Sequence, residues 1–308
     1  MTEFFITAQK PAKNIIKNLT TIFKKKFGKK FIGPLDYTKR GWMRWFLAFA
    51  IFFLYAPIVW IIIFSFNDAT KYNIIWEGFT LANYPRVFVN EELLSALLNS
   101  LTIAFFNTIF STILGVLAGL SMWRYKFRFK PISDGLLGLP LVIPEICMGV
   151  AFLVFFSRIG WPNDLPWPLS LSSITLAHIT FSFPFVTLII RSRLSGFNQE
   201  LEWAARDLGA SETMALRDII LPFLKPAIIA GALMSFTLSL DDFVITFFTG
   251  GPDSITLPVK IFSAARRGIS PDYNAAFTML IVLTVILVYI GLRMQTTTIK
   301  KEKIYDNY

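Results

Sequence analysis

The chain has 308 residues, 54% of them apolar and only 16% charged, with 32 phenylalanines and a net charge of +10. Soluble chains carry about a quarter charged residues, so this composition points to a membrane. A single cysteine, Cys147, and a single histidine, His178, exclude an intramolecular disulfide and a Cys/His zinc cage.

Residues 1–41 hold ten Lys and Arg, including "KKKFGKK" at 24–30. They lack the continuous apolar core and small-residue cleavage site of a signal peptide. Ile15, Ile16, Leu19, Ile22, Phe23 and Phe27 recur at helical spacing between lysines. That pattern suits a basic amphipathic helix on the inner membrane face; the alternative is a disordered polybasic tail.

Six apolar runs follow, each long enough to cross about 30 Å of hydrocarbon as a helix. They are Trp42–Phe66, Ser95–Trp123, Gly135–Ile159, Leu171–Arg193, Leu224–Thr249 and Tyr273–Gln295. Pro57, Pro140, Pro144, Pro184 and Pro226 lie in or beside these runs and predict kinks. Gly115 and Gly119, four apart in the second run, predict close helix packing. Glu145 falls about ten residues into the third run, between proline kinks, where a carboxylate must face protein or water. Its two readings are a place on a cation path and a helix–helix hydrogen bond. His178 lies inside the fourth run and is read as a structural hydrogen-bonding group.

Basic residues set the orientation. They crowd the arm, the second-to-third connection (Arg124, Lys126, Arg128, Lys130), the fourth-to-fifth connection (Arg191, Arg193, Arg206, Arg217, Lys225) and the tail at 296–308. The remaining connections are sparse in them. Six spans with both termini cytoplasmic follow, in an all-α, multi-pass protein of the cell membrane. Because topology accounts for the charge, nucleic acid is not an expected partner. No P-loop, HExxH or GxSxG motif occurs, so neither nucleotide hydrolysis nor another enzyme chemistry is expected of this chain.

The longest cytoplasmic connection, 197–222, reads "FNQELEWAARDLGASETMALRDIILP". Asn198 can cap a helix whose first turn carries Glu200 and Glu202. Leu201, Ala204, Ala205 and Leu208 fall on one face. Gly209 supplies the backbone freedom for a stop. Ser211 can cap a second short helix, expected to finish before Pro222. By itself this hairpin is either a solvated connector or a docking element.

Its spacing decides the family. Ala204-Ala205, three residues, Gly209, nine residues, Ile219, one residue and Leu221-Pro222 resemble the signature loop E-A-A-x-x-x-G-x₉-I-x-L-P of ABC-importer permeases. Trp203 stands where that motif has Glu, and Glu202 is one residue early. "LYAPIVWIIIFSFN" (54–67), "NSLTIAF" (99–105) and "FTLSLDDFVITFFTGGP" (236–252) are similar to the polyamine branch of that family, over about residues 42–295. The resemblance implies a permease domain at 42–295 paired with a homologous second permease, two ATPase subunits and an extracellular substrate-binding protein. ATP and Mg would be held by the ATPase subunits, and this chain would bind no cofactor or metal. Glu202, Trp203, Ala204, Ala205, Gly209, Ile219, Leu221 and Pro222 would form the coupling element. The substrate would be spermidine or putrescine, with another cationic or metal-bearing solute as the alternative within the class. An ATP-independent channel or carrier is the alternative outside it.

Asp241 and Asp242 interrupt the fifth run. An Asp at a span centre costs about 2.5–3.5 kcal/mol on insertion scales, so the pair needs a reason. Adjacent helical residues point about 100° apart. The expectation is that one faces a cation path while the other caps or bridges a neighbouring helix. Arg266 and Arg267 are the alternative, structural partners.

Overall fold

A computed structural model describes residues 41–69, 73–159, 169–266 and 268–305. The described residues are helical, with one isolated β-bridge between Asn67 and Phe79. The arm at 1–40 and the residue Arg267 lie outside them. The chain divides into two compact units, Met1–Trp60 and Ile61–Tyr308. Helix α1 (Gly41–Phe64) carries large apolar side chains such as Trp45, Phe52 and Phe53 on its surface. Among the described residues five helices are long and apolar enough to cross a membrane, or six if one bent pair counts as a single span.

In the second unit, α2 (Asn83–Val89) leads into α3 (Glu91–Arg124), where Asn90 accepts a hydrogen bond from the Leu93 amide and caps the start. A bent pair follows, α4 (Lys130–Val142) and α5 (Glu145–Ile159). Next come α6 (Leu169–Leu194) and the short α7 (Glu200–Asp207). Helix α8 (Glu212–Leu240), then α9 (Val244–Thr249), α10 (Leu257–Ala265) and α11 (Pro271–Tyr305) complete the order.

The centre is the packing of α3, α6 and α8 on one another. Small residues let their backbones approach. A Cβ on Gly115 would stand 2.6 Å from Val186, and one on Gly119 would stand 2.6 Å from Ile190. Gly231 of α8 meets the same Val186 from the other side, at 2.8 Å. Polar groups also cross-link the trio directly. Asn107 on α3 donates to the Ser235 carbonyl of α8 at 2.9 Å and to the Ser182 hydroxyl of α6 at 3.3 Å. A buried amide left unpaired would cost about 1–3 kcal/mol, so this bridge fixes the register of the three helices.

Two expected spans are corrected. The third is not one kinked helix over Gly135–Ile159: α4 and α5 meet at 112°. Pro144 denies the backbone a donor, and Ile143 before it is extended (φ −75°, ψ 129°). The fifth does not run from Leu224 to Thr249. It starts at Glu212, stops at Leu240, and resumes as α9. Pro222 therefore fails to end the preceding helix. Residues Leu216–Ile220 widen into a π turn, which relieves the clash a proline makes with the carbonyl four residues back.

Candidate functional site

The double aspartate sits at the break between α8 and α9, and its two carboxylates do different things. Asp241 is the C-cap of α8 and is exposed. Asp242 is 9% exposed, and its side chain, one residue before the N-cap Phe243, serves the start of α9. Its carboxylate accepts the Ile245 amide at 3.3 Å, the Thr246 amide at 2.8 Å and the Thr246 hydroxyl at 2.8 Å. These are the donors that a helix start leaves unsatisfied.

His178 of α6, 2% exposed, closes this arrangement. Its Nε2 lies 3.0 Å from the Thr246 hydroxyl oxygen and 3.2 Å from the Asp242 carboxylate. Because the Thr246 proton is given to Asp242, Nε2 carries the ring proton and donates. Nδ1 faces the Ser239 hydroxyl of α8 at 2.8 Å. One imidazole thus ties α6 to both sides of the break. The structural hydrogen-bonding role read for His178 matches this geometry. Sequence reasoning missed the partners, which are 61, 64 and 68 positions away. The i, i+4 spacing of Asp242 and Thr246 was the available signal.

Of the two arginines named as alternative partners of the aspartates, only Arg266 is among the described residues, and no ion pair joins it to either aspartate there. The Arg266 guanidinium lies over the Phe262 ring at 4.9 Å, and Arg267 is outside the described residues. Asp242, Glu145 and His178 lie near enough to Asp241 to act on it electrostatically. Glu145 stands exposed in the first turn of α5, immediately after the other helix break. That corrects its expected place deep in a continuous span. Helices α5 and α9, the second halves of both broken segments, pack on each other. Gly149 permits it: a Cβ there would meet the Phe248 ring at 2.8 Å. Asp241 also borders a cavity of about 270 Å³ whose other walls are mostly apolar, including Leu240, Leu257, Phe277 and Leu280, with Thr237 and Thr284.

The hairpin at 197–222 lies at the end of the unit where α3 finishes. Asn198 accepts the Glu200 amide at 3.0 Å, and Ser211 accepts the Met214 amide at 3.3 Å. Gly209 has φ 89°, a left-handed conformation that L side chains resist, with open space where a Cβ would project. The apolar residues of α7 face outward: Trp203 is 60% exposed and Leu208 91%. Ala204 is exposed and Ala205 half-buried. Glu202, by contrast, is buried and paired with Arg124 at 2.9 Å, so its carboxylate is turned inward. Ile219 packs beside the cluster around Ile220 and Leu224. Leu221 is half-buried and Pro222 exposed within α8, just after its π turn.

Residues 111–301 match the family described as "Binding-protein-dependent transport system inner membrane component". The chain is 42% identical over 236 residues to the spermidine/putrescine transport system permease protein PotC of Escherichia coli K12, covering 77% of this chain and 87% of that protein. It is 36% identical to the putrescine transport system permease protein PotI of the same organism, covering 80% and 88%. Its fold matches a crystal structure of a bacterial ABC transporter involved in the import of the acidic polysaccharide alginate, with TM-score 0.64, 16% identity, and 85% and 98% of the two chains covered. The chain therefore belongs to the family of binding-protein-dependent transport system inner membrane components.

Proposed function

We propose that this membrane-embedded family member is a permease subunit of an ATP-driven polyamine importer. Six spans, counting α4 with α5 as one, place both termini in the cytoplasm. A homologous second permease completes the path, and a substrate-binding protein delivers spermidine or putrescine from outside. Two ATPase subunits hold ATP and Mg and dock on the hairpin at 197–222 through Trp203, Leu208 and their neighbours, with Gly209 shaping the turn. Closure of the ATPase pair moves the hairpin and switches the bundle from inward-open to outward-open.

One observation carries the substrate reading: Asp241 is an exposed carboxylate bordering a largely apolar cavity, with Glu145 as a charged neighbour. A polyamine is a chain of methylenes punctuated by ammonium groups. Apolar walls suit the methylenes, and separated carboxylates replace part of the ammonium hydration without trapping the ion. Asp242 contributes less to that chemistry, because its oxygens already serve α9 and His178.

The test is uptake by the whole reconstituted complex in competition with a panel of amines. Spermidine and putrescine should compete, while monoamines and amino acids should not. Failure of both polyamines to compete sinks the substrate assignment. Transport by this chain without the ATPase subunits sinks the importer reading altogether.

A further inference from the structure

Arg124 is the last residue of α3, and its side chain leaves that helix to hold the hairpin at two points. It donates to Glu202 of α7 at 2.9 Å and to Glu212, the first residue of α8, at 2.7 Å. Arg206 reinforces both, lying 3.6 Å from Glu202 and 3.5 Å from Glu212. Two arginines and two glutamates therefore clasp the Gly209 turn from both sides and fasten it to α3. A guanidinium fork suits this, since it presents several donors in a fixed plane.

From Arg124 the connection continues along rigid elements. Gly119 and Gly115 press α3 onto Ile190 and Val186 of α6. Asn107, about 25 Å up the helix at 1.5 Å per residue, is bonded to Ser235 of α8. Ser235 lies about 1.7 turns before Asp241, the C-cap of the same helix. A displacement of α7 has a stiff, hydrogen-bonded and close-packed route to the break that carries the aspartates.

From this geometry we propose that Arg124 is a positioning residue that transmits movement of the hairpin to α3, and that Glu202 is its internal anchor and makes no contact with the ATPase. The proposal rests on the docking of the hairpin to the ATPase stated above.

The experiment uses the full complex in proteoliposomes, with the binding protein and spermidine added. Arg124→Gln should leave the ATPase subunits co-purifying and hydrolysing ATP at the basal rate. Substrate-stimulated hydrolysis and uptake should fall together by about fivefold or more, the usual range of a coupling free energy. Glu202→Gln, which keeps shape and removes charge, should show a loss of the same order. The double variant should lose less than the product of the two single losses, because both changes cut the Arg124–Glu202 link. Native stimulation in either single variant, or losses that multiply in the double variant, overturns the proposal. If Arg124→Gln does not assemble, Glu202→Gln alone carries the same test. A cross-link from Leu208→Cys to the ATPase subunit reports docking separately. Its absence in the otherwise native complex overturns docking and proposal together. Its presence alongside native coupling in Arg124→Gln overturns only the role of the arginine.

Discussion

Two helices of this protein are broken inside apolar segments, and the breaks are made by different means. Between α4 and α5 the chain itself forbids continuity. Pro144 has no amide proton, Ile143 before it is extended, and the Pro144 carbonyl accepts the Cys147 amide at 2.9 Å to start α5. Between α8 and α9 there is no proline. There the break depends on a carboxylate that caps α9 and on an imidazole from another helix that holds that carboxylate. The first break is encoded locally and the second is a tertiary structure, so the two should respond differently to substitution.

Asp242→Ala is expected to have the largest effect. It leaves two amides at the start of α9, the Thr246 hydroxyl and the His178 ring without their acceptor. Each buried donor left without its acceptor costs about 1–3 kcal/mol. The variant should express poorly, unfold at a clearly lower temperature in detergent, and lose uptake. A native unfolding temperature would show that the second break stands without its cap and would erase the contrast with the first.

Asp241→Asn should come next, and it should affect function without affecting folding. The side chain is exposed, and surface changes of this kind are usually within about 0.5 kcal/mol. A charge-assisted contact to an ammonium is worth about 1.5–3 kcal/mol, so uptake at low spermidine should fall about tenfold with assembly unchanged. Equal damage to folding by the two aspartate variants would mean that the capping and path roles are not divided between them.

The difference between the breaks also explains what could be read from the sequence. The first, second, fourth and sixth spans, the cap Ser211 and the positive-φ Gly209 all follow from residues within a few positions of each other, and they are where expected. Pro144 was visible as a kink, though not the 112° angle, which packing of α5 on α9 selects. The end of α8 at Leu240 was hidden. An apolar run containing two aspartates still reads as one helix unless His178, 64 positions before Asp242, is known to lie beside it. Pro222 misled in the opposite sense, because a π turn absorbed the clash that normally ends a helix. Arg124 read as one of several orienting charges, since nothing local reveals that it reaches Glu202 and Glu212.

Glu145→Gln probes the first break as Asp241→Asn probes the second. Glu145 is exposed at the start of α5 and is among the charged neighbours of Asp241. If the two carboxylates meet different ammonium groups of one polyamine, the loss from Glu145→Gln should be about threefold, and the double variant should show the product of the two losses. Putrescine, with two ammonium groups, should be affected in the same order. Unchanged uptake across substrate concentrations would assign Glu145 to helix packing.

Pro144→Ala should have the smallest effect, and it is the sharpest check on the comparison. Alanine restores the missing amide and removes the ring that holds Ile143 extended, so the local prohibition on a continuous helix disappears. The tertiary reason for the bend remains. Helix α5 is seated on α9 through Gly149 and Phe248, and Phe152 and Phe156 pack beside the buried Ile245 of α9. Straightening the chain would pull those aromatic rings out of their contacts, at about 1.5–3 kcal/mol for each large side chain exposed. Alanine gains one helical hydrogen bond in return, worth about 1 kcal/mol. Packing wins, and the bend should persist. The measurement is amide hydrogen exchange at Glu145 and Ile146, which open the second helix of the bent pair and would gain the Leu141 and Val142 carbonyls as acceptors only in a continuous helix. Their protection should stay near the native level and uptake should remain within about twofold, in contrast to the collapse expected of Asp242→Ala. A large fall in exchange with loss of uptake would mean that the proline alone maintains the first break. The two breaks would then differ in where their information lies, and also in how much of the surrounding structure each one needs.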